Sequence, residues 1–238
     1  MYGQITKKLF FYNSLFFFFF LLLFLSFPEL DIFLSKLFFI EKEFISEKYI
    51  FIKYLRSFLK DFMIIIPILA ILILLTRRIN RIQKIKMLEN SRIRFFLIGL
   101  ILGPAIGCGL IANLYFKDTW GRARPVHVEE FGGDKIFTPA FVKSDQCERN
   151  CSWISGETSA AFSFVVGTIL MKNPLFLTAN FILGFLVFFC RMAMGGHFFS
   201  DNIFAMIFMI YLAILYKNLI FFCIKKKIFY EKNTRYNR

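Results

Sequence analysis

Long apolar runs separated by short polar segments pattern the chain, and their lengths decide what they can form. Residues 9–27, 62–75, 95–116, 160–171, 175–194 and 203–222 contain no Asp or Glu, and Arg191 lies near the end of the fifth run. A helix rising 1.5 Å per residue needs roughly 20 apolar residues to cross a bilayer. The pattern therefore predicts an all-α polytopic membrane protein, a bundle of six transmembrane helices. The second and fourth runs are short. The second lengthens toward Phe58 if Lys60 snorkels, and the fourth begins near Ser155 if its first turn lies among lipid headgroups. In the third, Gly99, Gly103 and Gly107 fall four apart on one face, where another backbone can approach closely. Pro104 is expected either to kink that helix or to be tolerated in it. Residues 28–61 mix apolar positions with Glu41, Lys42, Glu43, Glu47 and Lys48, which predicts either a helix along the interface or a loop.

Composition agrees with the pattern. Hydrophobic residues make up 58% of the 238 and aromatic residues 20%, with 36 Phe against 2 Trp. A disordered chain is excluded, and so is an ordinary soluble domain, which carries about 25% charged residues against the 19% found here. Residues 16–20 are all Phe and read as lipid-facing filler. The whole of 1–238 is expected to form one integral membrane domain.

The formal charge of +14 acquires meaning only when it is divided among the connections. Basic residues in short loops mark the cytoplasmic side. Lys7 and Lys8 precede the first run, residues 77–94 hold seven basic residues and one acid, and the tail from Lys217 holds another seven and one. By contrast, residues 28–61 hold six of each, and residues 117–158 hold six basic and seven acidic. Both termini are therefore expected inside. The basic excess reads as a topology signal and an attraction to anionic headgroups rather than to nucleic acid, for which no motif is present. The first run follows its lysines as a signal peptide would, but it lacks a small-residue cleavage pattern, so an uncleaved anchor is expected.

On the outer side this topology gathers the residues that lipid would not tolerate. Lys117 ends the third run and is followed by Arg124 and Pro125. Ser155, Gly156 and Glu157 open the fourth, and Arg191, His197 and Asp201 stand between the fifth and sixth. Singly, Lys117, Arg124 and Arg191 could be snorkelling anchors, Ser155 a helix cap and His197 an interfacial polar residue. Together they supply every part of a phosphoryl transfer, which requires cations to position and neutralise phosphate oxygens. Arg offers a planar fork for two oxygens and Lys a point charge. The N–H groups of Gly156 and Glu157, at a helix start, add donors. A neutral His197 ring nitrogen can attack phosphorus. Its i, i+4 spacing lets Asp201 accept the other ring N–H, and Gly195 and Gly196 are expected to let a phosphorylated substrate approach.

These motifs resemble the type 2 phosphatidic-acid phosphatase (PAP2) superfamily, marked by a Lys, six residues and Arg-Pro; by Ser-Gly-His; and by an Arg, five residues, a His, three residues and an Asp. Here they stand as Lys117 with Arg124-Pro125, Ser155-Gly156 with Glu157, and Arg191 with His197 and Asp201. The Ser that usually precedes the third-motif Arg is Cys190. The resemblance covers about residues 95–222. It implies a metal-independent phosphatase without a cofactor, in which His197 forms a phosphohistidine, Asp201 orients it, and Lys117, Arg124, Ser155, Gly156 and Arg191 bind the phosphate. The family's second-motif His protonates the leaving oxygen. Glu157 occupies that position, and to donate a proton it needs its pKa raised against the pull of the cations. His127 is the alternative acid.

The Glu variant of the second motif, the segment from Trp120 to Pro125, Phe131-Gly132-Gly133, the segment from Cys147 to Ser155, and Pro28-Glu29-Leu30-Asp31 are similar to a bacterial branch that acts on lipid A, with removal of the 4′-phosphate favoured over the 1-phosphate. The resemblance implies an inner-membrane enzyme with a periplasmic active site, acting on a lipid phosphate among membrane lipids. A phosphatase of undecaprenyl diphosphate or phosphatidylglycerol phosphate, or a lipid phosphotransferase, would use the same chemistry. A transporter would instead place ionisable residues or broken helices near mid-bilayer. Cys108, Cys190 and Cys223 read as apolar fillers. Cys147 and Cys151 face a compartment that permits disulfides and either bridge or remain free; with no further ligands nearby they predict no metal site.

Overall fold

The computed structural model describes residues 2–79, 90–171 and 173–236. Arg81, Lys84 and Lys86 of the basic segment 77–94, and Lys172, lie outside the described residues. The chain is built of helices with one two-stranded hairpin: α1 (Tyr2–Ser26), α2 (Leu30–Lys36), β1 (Phe39–Ile40), β2 (Glu43–Phe44), α3 (Ile45–Lys48), α4 (Phe51–Ile79), α5 (Ser91–Leu102) with a π-helical continuation (Gly103–Lys117), α6 (Gly156–Ser163), α7 (Val165–Thr168), α8 (Pro174–Ala193) and α9 (Phe199–Tyr236). Five helices among the described residues are long and apolar enough to cross a membrane: Thr6–Ser26, Phe51–Thr76, Ser91–Lys117, Pro174–Ala193 and Phe199–Phe222.

The fourth apolar run differs from the expectation of one continuous helix. It breaks at Phe164 into α6 and α7, and nearly every side chain in the two is buried. Wrapped by its neighbours, this segment has no lipid-facing stripe to maintain, and its backbone is held partly by side chains, such as the Asn180 Nδ2 donating to the Ala161 carbonyl at 2.7 Å. The glycine face of the third run packs where its spacing predicts. A Cβ at Gly99 would collide with the Gly167 backbone, and one at Gly103 with the Ser163 carbonyl. Pro104, with no N–H to donate, sits where the α-helix widens into its π-helical continuation.

The phenylalanine run is less uniform than filler. Phe16, Phe18 and Phe19 face outward, but Phe17 and Phe20 pack on α9, with Phe17 edge-on to Phe204 at 5.8 Å between centroids and Phe20 tilted against Phe199 at 6.2 Å. The stretch from 28 to 61 is neither one interfacial helix nor a loose loop. α2, a tight hairpin and α3 lead into α4, and the hairpin turns through Glu41 and Lys42, whose positive φ values of 54° and 69° match the twist of its strands.

Above the bundle, residues 118–155 form a cap. Its centre is aromatic, with Phe141 against both Trp153 and Phe204 at 4.8 and 4.6 Å and Trp120 stacked on Trp153 at 6.0 Å. This packing fixes the loop that carries the first two motifs over the turn that carries the third.

Candidate active site

The third motif lies in the turn between α8 and α9. Gly195 takes a φ of +58°, a left-handed conformation suited to glycine, and the amides of Gly196 and His197 return to the Arg191 carbonyl at 2.9 and 3.3 Å. A Cβ at Gly195 would meet the Phe44 ring and one at Gly196 the Arg191 guanidinium. The two glycines therefore admit the hairpin and Arg191 rather than a substrate.

His197 is 1% exposed. Its Nδ1 lies 2.8 Å from the Ser152 carbonyl and 3.6 Å from Asp201 Oδ2. The ring N–H is thus donated to the backbone of Ser152, and Asp201, although i+4, is not its direct acceptor. The reason is that Asp201 is held elsewhere: it accepts from Arg122 at 2.6 Å, from the Phe198 amide at 2.8 Å and from the Ser152 hydroxyl. A proton on Nδ1 leaves Nε2 with its lone pair available. Burial, then the charges of Arg191, Arg124 and Lys117, hold the ring pKa well below 6.5, so it is neutral at pH 7.

Behind His197 is a buried ionic group that the motifs did not reveal. Arg122 is fully buried and uses four bonds, to the Thr138 carbonyl at 2.8 Å, Ser200 Oγ at 2.9 Å, Asp201 at 2.6 Å and Asp31 Oδ2 at 2.8 Å. Its guanidinium lies 4.4 Å above the Phe198 ring. Asp31, from α2, also accepts the Ser200 amide at 2.9 Å. Burial and Asp201 push its carboxyl pKa up while Arg122 pulls it down, and the net direction is upward. The only sequence signals were an extra Arg two positions before Arg124 and an Asp in Pro28-Glu29-Leu30-Asp31.

In front of His197 the cations gather. Lys117 Nζ donates to Asn150 Oδ1 at 3.0 Å, and Arg124 donates through Nε and an Nη to the Asn150 carbonyl at 3.2 and 2.8 Å. Gly156 lies so close to Lys117 that a Cβ would be 3.0 Å from its Nζ. Arg191 is 5% exposed, and its Nε has no partner among the described residues. Ser155 is brought to the site by its backbone, its amide donating to the Asp201 carbonyl at 3.1 Å. Its hydroxyl is turned into the start of α6, where it accepts from the Thr158 amide and donates to Thr158 Oγ1 at 2.9 Å. The side chain caps the helix.

Glu157 stands among these cations. Arg56 of α4 grips it through two bonds, Nε to Oε2 at 2.8 Å and an Nη to Oε1, and Arg191 lies 3.6 Å from it. Burial raises its pKa, but the bond to Arg56 and the charges of Arg191 and Arg56 outweigh burial, and the net direction is downward. The raised pKa that a proton donor at this position would need is therefore absent, because an arginine outside all three motifs completes the clamp. His127 is exposed, its carbonyl accepts the Lys135 amide at 2.9 Å, and no contact joins its ring to the cations. Cys147 and Cys151 are joined by a disulfide, and Cys190 is buried as the filler reading predicts. Among the described residues no cluster could hold a metal ion.

A cleft of about 840 Å³ opens beside this cluster between α4 and the π-helical segment. Lys117, Asn150, Gly156 and Glu157 line its polar end, and Met63, Ile64, Ile68, Ile71 and Leu114 its apolar length. It fits a molecule with an anionic end and a hydrocarbon end.

A family model described as the PAP2 superfamily matches residues 94–225. The lipid A 4′-phosphatase of Francisella tularensis subsp. novicida is 41% identical over 192 residues, which cover 78% of this chain and 83% of that protein. The lipid A 4′-phosphatase of Rhizobium leguminosarum is 30% identical over 125 residues, 51% of this chain and 48% of its own. That of Rhizobium etli is 32% identical over 105 residues, 43% and 39%. No solved structure matches the chain.

Proposed function

The chain belongs to the PAP2 superfamily, and from that premise we propose that it is a membrane phosphatase removing the 4′-phosphate of lipid A by attack of His197 on phosphorus. One observation carries the reading: a buried histidine, its Nδ1 bound to the Ser152 carbonyl and its Nε2 free, lies within the field of Arg191, Arg124 and Lys117, and Lys117 lines the polar end of an apolar cleft. The relatives named lipid A 4′-phosphatase support the choice of substrate.

The lipid phosphate enters among Lys117, Arg124, Arg191 and the amides at the start of α6, with the acyl chains along the cleft. The Nε2 lone pair forms an N–P bond as the bond from phosphorus to the sugar oxygen breaks. That oxygen leaves with its electron pair, is met by the cations and takes up a proton from water. Water then attacks phosphorus, the N–P bond breaks, and inorganic phosphate leaves. The cations act where charge develops, in a site that is largely shielded from water. Glu157 serves in this scheme as an anion that aligns Arg56 and Arg191. Ser152 fixes the His197 tautomer and Asp201 balances the charge behind the ring. The distribution of basic residues supports cytoplasmic termini and a site on the periplasmic face of the inner membrane. In that topology α6 and α7 together make the fourth of six crossings.

Purified protein incubated with bis-phosphorylated lipid A should yield a product lighter by one phosphate, which fragmentation places at the 4′-position. His197→Ala protein with unchanged thermal unfolding should yield none. Loss of the 1-phosphate instead, or full turnover by His197→Ala, would refute the substrate position or the nucleophile, respectively.

A further inference from the structure

The five-residue ring closed by Cys147 and Cys151 touches two of the site's cations. Asn150, inside it, binds Lys117 through Oδ1 at 3.0 Å and Arg124 through its carbonyl at 2.8 and 3.2 Å, and it lines the polar end of the cleft. Its φ is +52°, a left-handed conformation that Asn tolerates better than most residues and that lets one residue aim both its side chain and its carbonyl at the cations. The next residue after the ring is Ser152, whose carbonyl holds His197 Nδ1 at 2.8 Å and whose amide is tied to the Arg122 carbonyl at 2.8 Å.

We propose that the disulfide-closed segment from Cys147 to Cys151 is a positioning element for phosphate binding, with Asn150 as the residue that sets the spacing of Lys117 and Arg124. The proposal rests on reading those cations as the phosphate cradle. Lys117 and Arg124, both bound to Asn150, repel each other, and a neutral residue that accepts from both keeps them together without cancelling the charge that binds phosphate. A carboxylate at this position would hold them equally well and compete with the substrate. The covalent ring limits how far Asn150 and Ser152 can move when phosphate draws the cations toward itself.

Inorganic phosphate is a suitable probe, measured as an inhibitor of lipid A turnover and by calorimetry on the full-length protein in detergent. Asn150→Asp keeps the shape and adds a charge; it should weaken phosphate binding and raise KM by about tenfold or more, with kcat changed far less. Asn150→Gly keeps the φ and the carbonyl but loses the Lys117 contact, and should weaken both by about threefold. Paired Cys147→Ser and Cys151→Ser, or reduction of the wild type, should raise KM in the same direction, and reductant should do nothing further to the double variant. A merely structural role predicts either that Asn150→Asp resembles the wild type or that the variants lose kcat and thermal stability together. Either result overturns the proposal, as does an unchanged phosphate affinity in Asn150→Asp. Lys117→Ala and Arg124→Ala separate the failures: if they weaken phosphate binding while the Asn150 variants match the wild type, only the positioning role falls, and if they leave phosphate binding unchanged, the cradle reading falls with it.

Discussion

Two charged regions lie on either side of His197 and are built on opposite principles. Behind the ring, one guanidinium serves two carboxylates, Arg122 with Asp31 and Asp201, all fully buried and all hydrogen-bonded. In front, Lys117, Arg124, Arg191 and Arg56 surround Glu157, and the Arg191 Nε has no partner among the described residues. The rear group is closed on itself, as buried charges must be if the fold is to tolerate them. The front group keeps an excess of positive charge beside a cleft. The contrast separates what holds the histidine from what holds the phosphate, and it predicts that substitutions on the two sides fail in different ways.

The largest effect belongs to the rear. Arg122→Ala would leave Asp31 and Asp201 facing each other without a counter-ion, and breaking a buried pair in this way costs about 3–5 kcal/mol. Thermal unfolding in detergent should show a large drop with no activity left to measure. If Arg122→Ala folds as stably as the wild type, the rear group is not the closed unit described.

Substitutions in front should cost turnover and spare the fold. Lys117→Ala, Arg124→Ala and Arg191→Ala each remove one charge-assisted contact to phosphate and should lower kcat/KM by about 10²–10³, while unfolding shifts little because like charges are being separated. A loss of stability in Arg124→Ala matching that in Arg122→Ala would erase the distinction between the two sides, although the residues stand only two apart in sequence.

That pair shows what could and could not be read from the chain. Lys117, Arg124, Ser155, Gly156, Arg191, His197 and Asp201 announce themselves because their motif spacings are local, and the structure brings them to one end of the bundle. The helices were legible from the apolar runs. The break at Phe164 was not, because burial by neighbours removes the lipid-facing pattern on which such a reading depends. Arg56, Asp31, Asn150 and Ser152 lie outside all three motifs. Their partners are 101, 91, 33 and 45 residues away, and only tertiary packing joins them. The role of Asp201 shifted for the same reason. An i, i+4 spacing places it near His197, but the chain brings a better acceptor, the Ser152 carbonyl, from outside the helix.

Glu157 tests the front group more finely. Held by Arg56 and Arg191, it is an anion whose removal frees two arginines instead of removing a proton donor. Glu157→Gln should lower kcat/KM by about tenfold, and Arg56→Ala should match it, with the double variant no worse than either single because the two act as one unit. If Glu157 instead donates the proton, its removal abolishes the alkaline limb of the pH profile and Arg56→Ala does not. His127→Asn provides the control: its ring lies outside the cluster, and the profile should stay as in the wild type.

The smallest expected effect is the position of the acid limb. Activity requires neutral His197, and burial followed by the charges of Arg191, Arg124 and Lys117 displaces its folded pKa below 6.5. In kcat/KM, which reports the free enzyme, the acid limb should therefore fall below pH 6.5, and Arg124→Gln, with one cation fewer, should move it back toward that value. Stability follows the same sign. Below pH 6.5 the unfolded chain binds a proton at this histidine that the folded chain refuses, so the contribution is intact above that pH and declines as pH falls toward the folded pKa. An acid limb at or above 6.5 in the wild type would mean that the front cations do not act on the ring, and the two regions would then be neighbours of His197 without a division of labour between them.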